Sequence, residues 1–285
     1  MKIKVIAIVG PTATGKSDFA VQYAKDNNGE IISADSRQVY KGMNIGTGKI
    51  TKKEMQGIPH YLLDIENPKK HFNVEKFKVL AEKKIIEINN RKKLPIICGG
   101  TGFYIDSLLN NILYPNIPHN KRLRKRLEKI PTEGLFNELS KLDKDFTQQL
   151  NNSEKNNRQR LIRSIEIAVA LGSVPNLIRN QSNYDITWIG LNYPFEKLKE
   201  RIHIRLIKRM KVGMIKEIEN LHKNGLSWKR MEELGLEYRY ISRYIRGLLS
   251  KEQMLKQLEL EICHYAKRQM VWFKRNKNIN WIIKN

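Results

Sequence analysis

The sequence predicts an α/β protein in which a P-loop NTPase-like parallel sheet is flanked by helices and carries a helical insertion lobe. Three observations support this fold. Apolar runs alternate with helix-like stretches over the first hundred residues, and a G-x-x-x-x-G-K-[ST] motif follows the first run. A further apolar run returns at 185–191 after a helix-rich segment. Such alternation is typical of a parallel sheet covered on both faces.

The first predicted strand leads directly into a glycine-rich loop, and a helix is predicted over 18–25. The loop glycines let backbone N–H groups point at phosphate oxygens, and the Lys16 ammonium adds positive charge. The hydroxyl of Ser17 is suited to hold Mg²⁺, and the helix N-terminus favours an anion. The sequence therefore predicts a di- or triphosphate site at Gly10, Pro11, Thr12, Ala13, Thr14, Gly15, Lys16 and Ser17.

Further strands are predicted over 30–35, 60–65 and 94–100, with a helix over 74–91. Ligands gather at the carboxyl ends of parallel strands. This rule marks residues 35–38, the stretch after 65 and residues 99–102 as candidate site segments.

Asp35 ends the second predicted strand, beside the expected phosphate site. A carboxylate there is placed to accept a proton from an incoming nucleophile. Capping of the following turn, or a link to Mg²⁺, is the alternative role. The glycines at 99–102 can approach a substrate through their backbone, but a tight strand-to-helix turn needs the same residues.

The pattern changes between residues 115 and 184, where helices rich in Lys, Arg and Glu are predicted over 120–129, 132–142 and 158–171. A strand over 185–191 resumes the sheet, and the rest of the chain from Pro194 is predicted to be helical. We therefore expect an α/β catalytic core formed by 1–114 and 185–285 with C-terminal helices, and a helical insertion over 115–184.

Charge narrows the class of partner. The chain has 53 Lys and Arg against 29 Asp and Glu, a formal charge of +24. A polyanion such as RNA or DNA explains this excess, although a Lys- and Asn-rich proteome would contribute to it. The tail HYAKRQMVWFKR mixes cations with aromatics, which suits nucleic-acid binding. Alternatively, Tyr265, Trp272 and Phe273 are core residues of a terminal helix.

The remaining composition favours a cytoplasmic protein without a membrane partner. No apolar run approaches the roughly 20 residues of a membrane span, and no signal-peptide pattern precedes the loop. The two cysteines, Cys98 and Cys263, lack metal-ligand spacing and are expected in the core. The histidines show no paired spacing that suggests a metal site. We expect the protein to be a monomer.

Taken together, the motifs resemble those of the tRNA dimethylallyltransferases over nearly the whole chain. The combination is far more specific than any single motif. It comprises GPTATGKS at 10–17, DSRQVY at 35–40, IGTGK at 45–49, GIPHYLLDI at 57–65, FNVEKF at 72–77, GGTGFY at 99–104, QRLIRSIE at 159–166 and YAKRQMVWF at 265–273.

This resemblance implies transfer of a dimethylallyl group from dimethylallyl diphosphate to the exocyclic amine of the adenine 3′ to the anticodon. The phosphate loop, with Arg205, would hold the diphosphate with Mg²⁺. Asp35 would deprotonate the amine while Thr101 supports the geometry. The tRNA anticodon stem-loop would be bound by the insertion and by residues of the core, namely Asp35, Ser36, Arg37, Gln38, Thr101, Gln159, Arg160, Leu161, Ile162, Arg163, Lys267 and Arg268.

Two other functions use parts of the same sequence. A small-molecule or nucleotide kinase would place ATP in the loop and use Asp35 as the base for a hydroxyl acceptor. An RNA-binding, ATPase-like module would retain RNA without turnover. Residues 99–104 and 265–269 would have no role in a kinase, so the sequence favours prenyl transfer.

Overall fold

The chain divides into two compact units. The computed structural model describes residues 2–113, 115, 117–176, 178–179 and 181–284. The core unit comprises Met1–Asn111 and Gln181–Asn285, and the inserted unit comprises Ile112–Asn180. Residue 114, where the first predicted core segment ends, lies outside the described residues. The tRNA-binding role expected of the insertion stays a prediction.

The described residues form strands and helices that we number in chain order. Strands β1–β8 span Ile3–Val9, Gly29–Ser33, His60–Tyr61, Leu94–Gly99, Ile112–Leu113, Ile178–Arg179, Tyr184–Asn192 and Asn280–Ile283. Helices α1–α14 span Lys16–Asp26, Lys52–Met55, Val74–Asn90, Gly102–Leu109, Lys121–Leu127, Thr132–Leu142, Lys144–Gln149, Asn152–Lys155, Arg158–Leu171, Phe195–Lys211, Met214–Lys223, Trp228–Leu234, Leu236–Ile245 and Lys251–Phe273.

Six strands of the core unit form one sheet in the order β3-β2-β4-β1-β7-β8. Every neighbouring pair is parallel. The predicted parallel α/β fold is therefore confirmed. The carboxyl ends of β1, β2 and β4 lie side by side, so the loops that follow these strands meet at one edge.

Side chains of β1 alternate between the two faces of the sheet, as the pleat requires. Val5, Ala7 and Val9 pack with α3 and α4, whereas Ile6 and Ile8 pack with α1. Both faces are covered, and this explains why the strand is an unbroken apolar run.

Two sequence predictions about strands were wrong in detail. The strand expected over 60–65 ends at Tyr61, because Leu62 and Asp64 adopt positive φ angles of 62° and 53° that leave the extended region. The tail after Pro194 is not wholly helical, since β8 pairs with β7 at the sheet edge. Its four residues are too short for a periodicity signal.

Helices α10–α14 form a second core that buries residues following β2. Val39, Tyr40 and Met43 are at most 2% exposed and pack among apolar residues of these helices. The segment between β2 and α2 is thereby fixed beside the C-terminal helices, although it is far from them in sequence. No helix in the described part of the chain has the length and apolarity needed to cross a membrane.

Candidate active site

The glycine-rich loop connects β1 to α1 through an unusual backbone path. Gly10 has a φ of 144°, and a Cβ there would lie 2.3 Å from the Leu191 carbonyl oxygen on β7. Ala13 and Gly15 also have positive φ, at 64° and 78°. α1 begins at Lys16 with Gly15 as its N-cap and with no side-chain cap. The first N–H groups of the helix are therefore left for a ligand.

Lys16 lies inside this loop. Its Nζ donates a hydrogen bond to the Pro11 carbonyl oxygen at 2.5 Å, and the buried Thr14 Oγ1 donates to the same carbonyl at 2.9 Å. Burial lowers the pKa of Lys16 to about 8, and it raises the pKa of the neighbouring Cys98 thiol to about 12. Asp35 acts on Lys16 in the opposite direction, but the effect of burial is larger, so the ammonium is only partly compensated by the protein.

Two arginines of α10 extend this positive charge. Arg201 Nε donates to the Ala13 carbonyl at 2.8 Å. Arg205 Nη1 lies 3.4 Å from Thr12 Oγ1, and burial lowers its pKa. Among the described ion pairs, none involves Lys16, Arg201 or Arg205. Asp35 and Asp18 also line the cavity that these cations border, but neither forms a described ion pair with them. Three converging cations without a direct ion-pair partner favour binding of an anion.

Arg205 was predicted as a phosphate contact and Arg201 was not. The four-residue spacing of the two arginines, which places both on one helix face, was the available signal.

A first cavity of about 270 Å³ adjoins the loop. Its walls include five residues of the phosphate loop, two predicted residues of the turn after β2, two residues further along toward α2, and two glycines at the end of β4. These are Thr12, Ala13, Gly15, Lys16, Ser17, Asp35, Gln38, Thr47, Gly48, Gly99 and Gly100. The segment predicted after residue 65 does not line it, and His60 and Leu63 do so instead. Gly10, Pro11 and Thr14 shape the loop behind the wall.

Asp35 sits at the carboxyl end of β2. Its Oδ1 accepts hydrogen bonds from the backbone N–H of Arg37 at 2.8 Å and of Gln38 at 3.2 Å. The capping role considered from the sequence is thus present. The described hydrogen bonds do not engage Oδ2, so one carboxylate oxygen remains for another partner, and a proton-accepting role is compatible with the cap.

Thr101, at the start of α4, links two neighbouring strand ends. Its Oγ1 accepts from the Ser36 N–H at 3.1 Å, and its N–H donates to the Ala34 carbonyl at 3.2 Å. Tyr265 of α14 also interacts with the Thr101 side chain, and burial raises the pKa of the Tyr265 phenol. Thr101 therefore braces the turn that carries Asp35.

A second cavity, of about 300 Å³, lies beside the first. Ser36, Arg37 and Arg268 from the predicted set line it, together with residues of α13. Thr12, Asp35, Thr47 and Tyr265 line both cavities. The structure therefore places the phosphate loop and Asp35 where the first and second cavities meet.

Gln269 of α14 joins two segments that the sequence alone did not connect. Its Oε1 accepts from the Thr12 N–H, and its Nε2 donates to the Gly100 carbonyl, both at 2.8 Å. A Cβ on Gly100 would lie 2.2 Å from this Nε2. The glutamine thus fixes the phosphate loop against the turn after β4, which requires glycine at this position.

The other predicted tail residues differ in environment. Lys267 is exposed, with Nζ 4.4 Å from the centre of the Phe195 ring. Trp272 Nε1 donates to Asp106 at 2.8 Å, and Phe273 is 2% exposed within the core. The packing of Trp272 and Phe273 supports a structural role for both residues and not nucleic-acid binding.

Residues 159–163 lie on α9 of the inserted unit. Gln159 and Arg160 are exposed. Leu161 and Ile162 are 0% and 2% exposed in the apolar core of that unit. The expectation that their side chains contact tRNA needs correction, because packing against neighbouring helices removes them from the surface.

The two arginines of α9 have protein partners in the structure. Arg160 Nη1 pairs with Glu154 at 2.8 Å. Arg163 Nη2 donates to the Ile117 carbonyl at 2.9 Å, and its Nη1 pairs with Glu166 at 3.4 Å. Each of these arginines therefore has a glutamate partner within the inserted unit. Arg160 is 53% exposed and remains accessible, whereas Arg163 tethers the segment that precedes α5.

Comparison with known proteins identifies the family. The model of the IPP transferase family matches residues 38–276. This chain belongs to that family. It is 44% identical to tRNA dimethylallyltransferase 2 of Treponema denticola, with 98% of this chain and 95% of that protein covered. It is 38% identical to the tRNA dimethylallyltransferase of Anoxybacillus flavithermus, over 98% and 89% of the two chains.

Solved structures support the same assignment. The tRNA isopentenylpyrophosphate transferase of Bacillus halodurans is 36% identical, with a TM-score of 0.75 over 99% of this chain and 90% of that one. A eukaryotic dimethylallyltransferase acting on tRNA, 26% identical, has a TM-score of 0.82 over 99% and 74%. The predicted class, an enzyme with tRNA dimethylallyltransferase activity, is therefore confirmed.

Proposed function

We propose that this enzyme binds the diphosphate of dimethylallyl diphosphate in the first cavity and the target adenine of tRNA in the second. One observation carries the proposal. Lys16, Arg201 and Arg205 have no ion-pair partner among the described residues, and the cavity they border meets a second cavity at Asp35. An anionic leaving group on one side and an acceptor on the other suit a transfer reaction at this carboxylate.

The reaction follows from this arrangement. The exocyclic amine of the adenine 3′ to the anticodon forms a bond to the allylic carbon, and the bond from that carbon to the diphosphate oxygen breaks. Asp35 takes the proton from the amine through the carboxylate oxygen that the cap leaves available. Alignment of a weak nucleophile with the allylic carbon supplies several kcal/mol.

Diphosphate departs with its charge stabilised by fixed cations. Lys16 and Arg205 are already positioned by the loop, so little reorganisation is needed as negative charge develops. Burial lowers the pKa values of Lys16 and Arg205 and would also exclude water from a bound anion. Electrostatic contacts between these cations and the diphosphate would be stronger there than in water.

The adenine reaches Asp35 by leaving its stack. Extrusion costs a few kcal/mol, which contacts in a fitted pocket can offset. Arg37 and Arg268 line the second cavity and would bind flanking phosphates or bases. Exposed Lys267, Gln159 and Arg160 would extend contact along the anticodon stem-loop, and Ser36, Gln38 and Thr101 would shape the pocket from the turn beside Asp35.

The residues at the loop fit Mg²⁺ as the cofactor. Ser17 offers a hydroxyl at the wall of the first cavity, and no cluster of three or more His, Cys, Asp or Glu side chains forms a metal cage among the described residues. Mg²⁺ prefers oxygen ligands and is commonly held by substrate phosphates and one or two protein groups. Mg²⁺ bound to Ser17 would neutralise charge on the departing diphosphate.

We also propose that one chain suffices for catalysis, in the cytoplasm, where tRNA is available. Both cavities and all three cations belong to the core unit of a single chain. Sedimentation at the enzyme concentrations used for assay tests the monomer.

An isotope experiment tests the proposal against the kinase and the RNA-binding module. We expect label from the allylic diphosphate to appear in tRNA, and mass spectrometry of the digested tRNA to locate it on the adenine 3′ to the anticodon. Phosphoryl transfer from ATP to a hydroxyl acceptor would instead support the kinase. RNA retention without transfer of label would support the binding module.

A further inference from the structure

The residues from Asn44 to Gly48, which we call the 44–48 loop, form a wall shared by the two cavities. Thr47 and Gly48 line the first cavity, and Gly46 and Thr47 line the second. The loop is closed on itself by hydrogen bonds from the Gly48 N–H to the Ile45 carbonyl and from the Lys49 N–H to the Asn44 carbonyl. Its position therefore affects the shape of both spaces.

One carboxylate on helix α11, that of Glu217, holds this loop. Glu217 Oε2 accepts from the N–H of Asn44 at 2.9 Å and of Ile45 at 2.6 Å. Its Oε1 accepts from the Gly46 N–H at 3.0 Å and from the Tyr238 hydroxyl at 3.0 Å. Three successive backbone N–H groups thus converge on a side chain 171 to 173 residues away in sequence.

The carbonyl groups of the loop are bound by arginines of α10. Arg209 Nη1 donates to the Gly46 carbonyl at 2.8 Å, and Arg205 Nη2 donates to the Gly48 carbonyl at 3.3 Å. The fit is close, because a Cβ on Gly46 would lie 2.7 Å from the Tyr238 hydroxyl. A Cβ on Gly48 would overlap the Arg205 guanidinium, 2.1 Å from Nη2.

These contacts form a chain from Glu217 to the phosphate site. Glu217 fixes the loop, the loop carbonyl at Gly48 orients Arg205, and the other nitrogen of Arg205 reaches Thr12 in the phosphate loop. Arg205 has no carboxylate partner among the described ion pairs. The loop carbonyl is therefore one of the few groups that determine where this cation points.

We propose that Glu217 is a positioning residue for the diphosphate donor. It holds the 44–48 loop so that Thr47 and Gly48 close one side of the first cavity and Arg205 faces the phosphate loop. This role rests on the proposed use of that cavity as the donor site. Glu217 lines neither cavity, so it acts through the loop and not by contact with substrate.

Glu217→Gln tests this role, because it keeps the shape but removes the paired acceptors. One of the two oxygens becomes an NH₂ group, so either the Asn44 and Ile45 amides or Gly46 and Tyr238 lose their acceptor. Loss of charged hydrogen bonds predicts a rise of about tenfold or more in the KM for dimethylallyl diphosphate. The affinity for tRNA should stay within about twofold, because the proposed contacts of Arg160, Lys267 and Arg268 with the stem-loop do not involve the 44–48 loop. Hydrogen exchange at residues 44–46 should accelerate. Glu219→Gln is the matched control, since it removes the same charge from the same helix.

A donor KM and loop exchange rate equal to those of wild type would overturn the proposal, as would equal effects in Glu219→Gln. A parallel loss of tRNA affinity would also overturn it, because a general structural role predicts both losses.

If Glu217→Gln does not fold, Tyr238→Phe decides the question. It removes one hydrogen bond to the carboxylate and should accelerate exchange at residues 44–46 with a smaller rise in donor KM. Wild-type values for both quantities would overturn the proposal. Failure of the proposed function is distinguishable: if the donor bound outside the first cavity, Glu217→Gln would leave the affinity for inorganic diphosphate at the wild-type value while hydrogen exchange at residues 44–46 still accelerated.

Discussion

Replacement of Asp35 by asparagine and by alanine separates its two possible roles. Oδ1 accepts two backbone hydrogen bonds, at 2.8 and 3.2 Å. The amide oxygen of Asp35→Asn can accept both bonds, so the turn that carries the site should persist. Asp35→Ala removes both acceptors. Only the alanine variant should therefore lose stability, whereas both variants lose the carboxylate that accepts a proton.

The expected magnitudes differ enough to be measured. Loss of a positioned general base lowers turnover by about 10² to 10⁴, equivalent to roughly 3–5 kcal/mol of barrier. Each lost hydrogen bond contributes about 1 kcal/mol to stability. We therefore expect both variants to be slow and Asp35→Ala alone to have a free energy of unfolding lower by about 1–2 kcal/mol.

The assay is single-turnover transfer of labelled dimethylallyl to tRNA at saturating substrate, with thermal unfolding and tRNA binding measured on the same preparations. Single-turnover conditions exclude product release from the measured rate. A near-normal rate for Asp35→Asn would refute the argument, because it would leave Asp35 with capping as its only role.

Three further outcomes are expected. Arg205→Ala should raise the KM for the diphosphate donor and lower kcat while leaving the KM for tRNA nearly unchanged; equal losses for both substrates in steady-state assays would contradict this. Arg160→Ala should weaken tRNA binding and reduce by about one the slope of log affinity against log salt concentration. Arg163→Ala should mainly lower stability, because the Arg163 guanidinium holds the Ile117 carbonyl. A slope for Arg160→Ala equal to that of wild type would remove Arg160 from the RNA contacts. Burial opposes ionisation of Glu30, but hydrogen bonds from Arg91 and Tyr61 outweigh it and lower the pKa. Glu30→Gln should therefore reduce the free energy of unfolding at pH 7 by about 1–3 kcal/mol. The difference should shrink as pH falls below the ordinary value of 4.5, because the unfolded wild-type chain then binds a proton at Glu30 while the native state binds one only at lower pH. A pH-independent difference in denaturant unfolding would contradict the linkage.

The sequence determined the parts of the molecule whose signals are local. The phosphate loop and its flanking strand and helix follow from apolar periodicity and glycine spacing, and the loop has the positive φ angles that this spacing favours. Long helices such as α3, α6 and α9 were predicted with bounds close to those observed, because each has a sustained apolar pattern. The position of Asp35 followed from the rule for strand ends in parallel sheets.

Only the tertiary structure decided which distant residues complete the site. Arg201, Gln269 and Glu217 come from C-terminal helices and contact loops more than 150 residues earlier in the chain. Their partners are backbone carbonyl and N–H groups, which leave no mark on the sequence. Leu161 and Ile162 illustrate the reverse case, because a motif suggested contact with RNA while burial placed both in a core. Packing of separate segments determines such positions, since contact across the fold depends on three-dimensional neighbours and not on spacing along the chain.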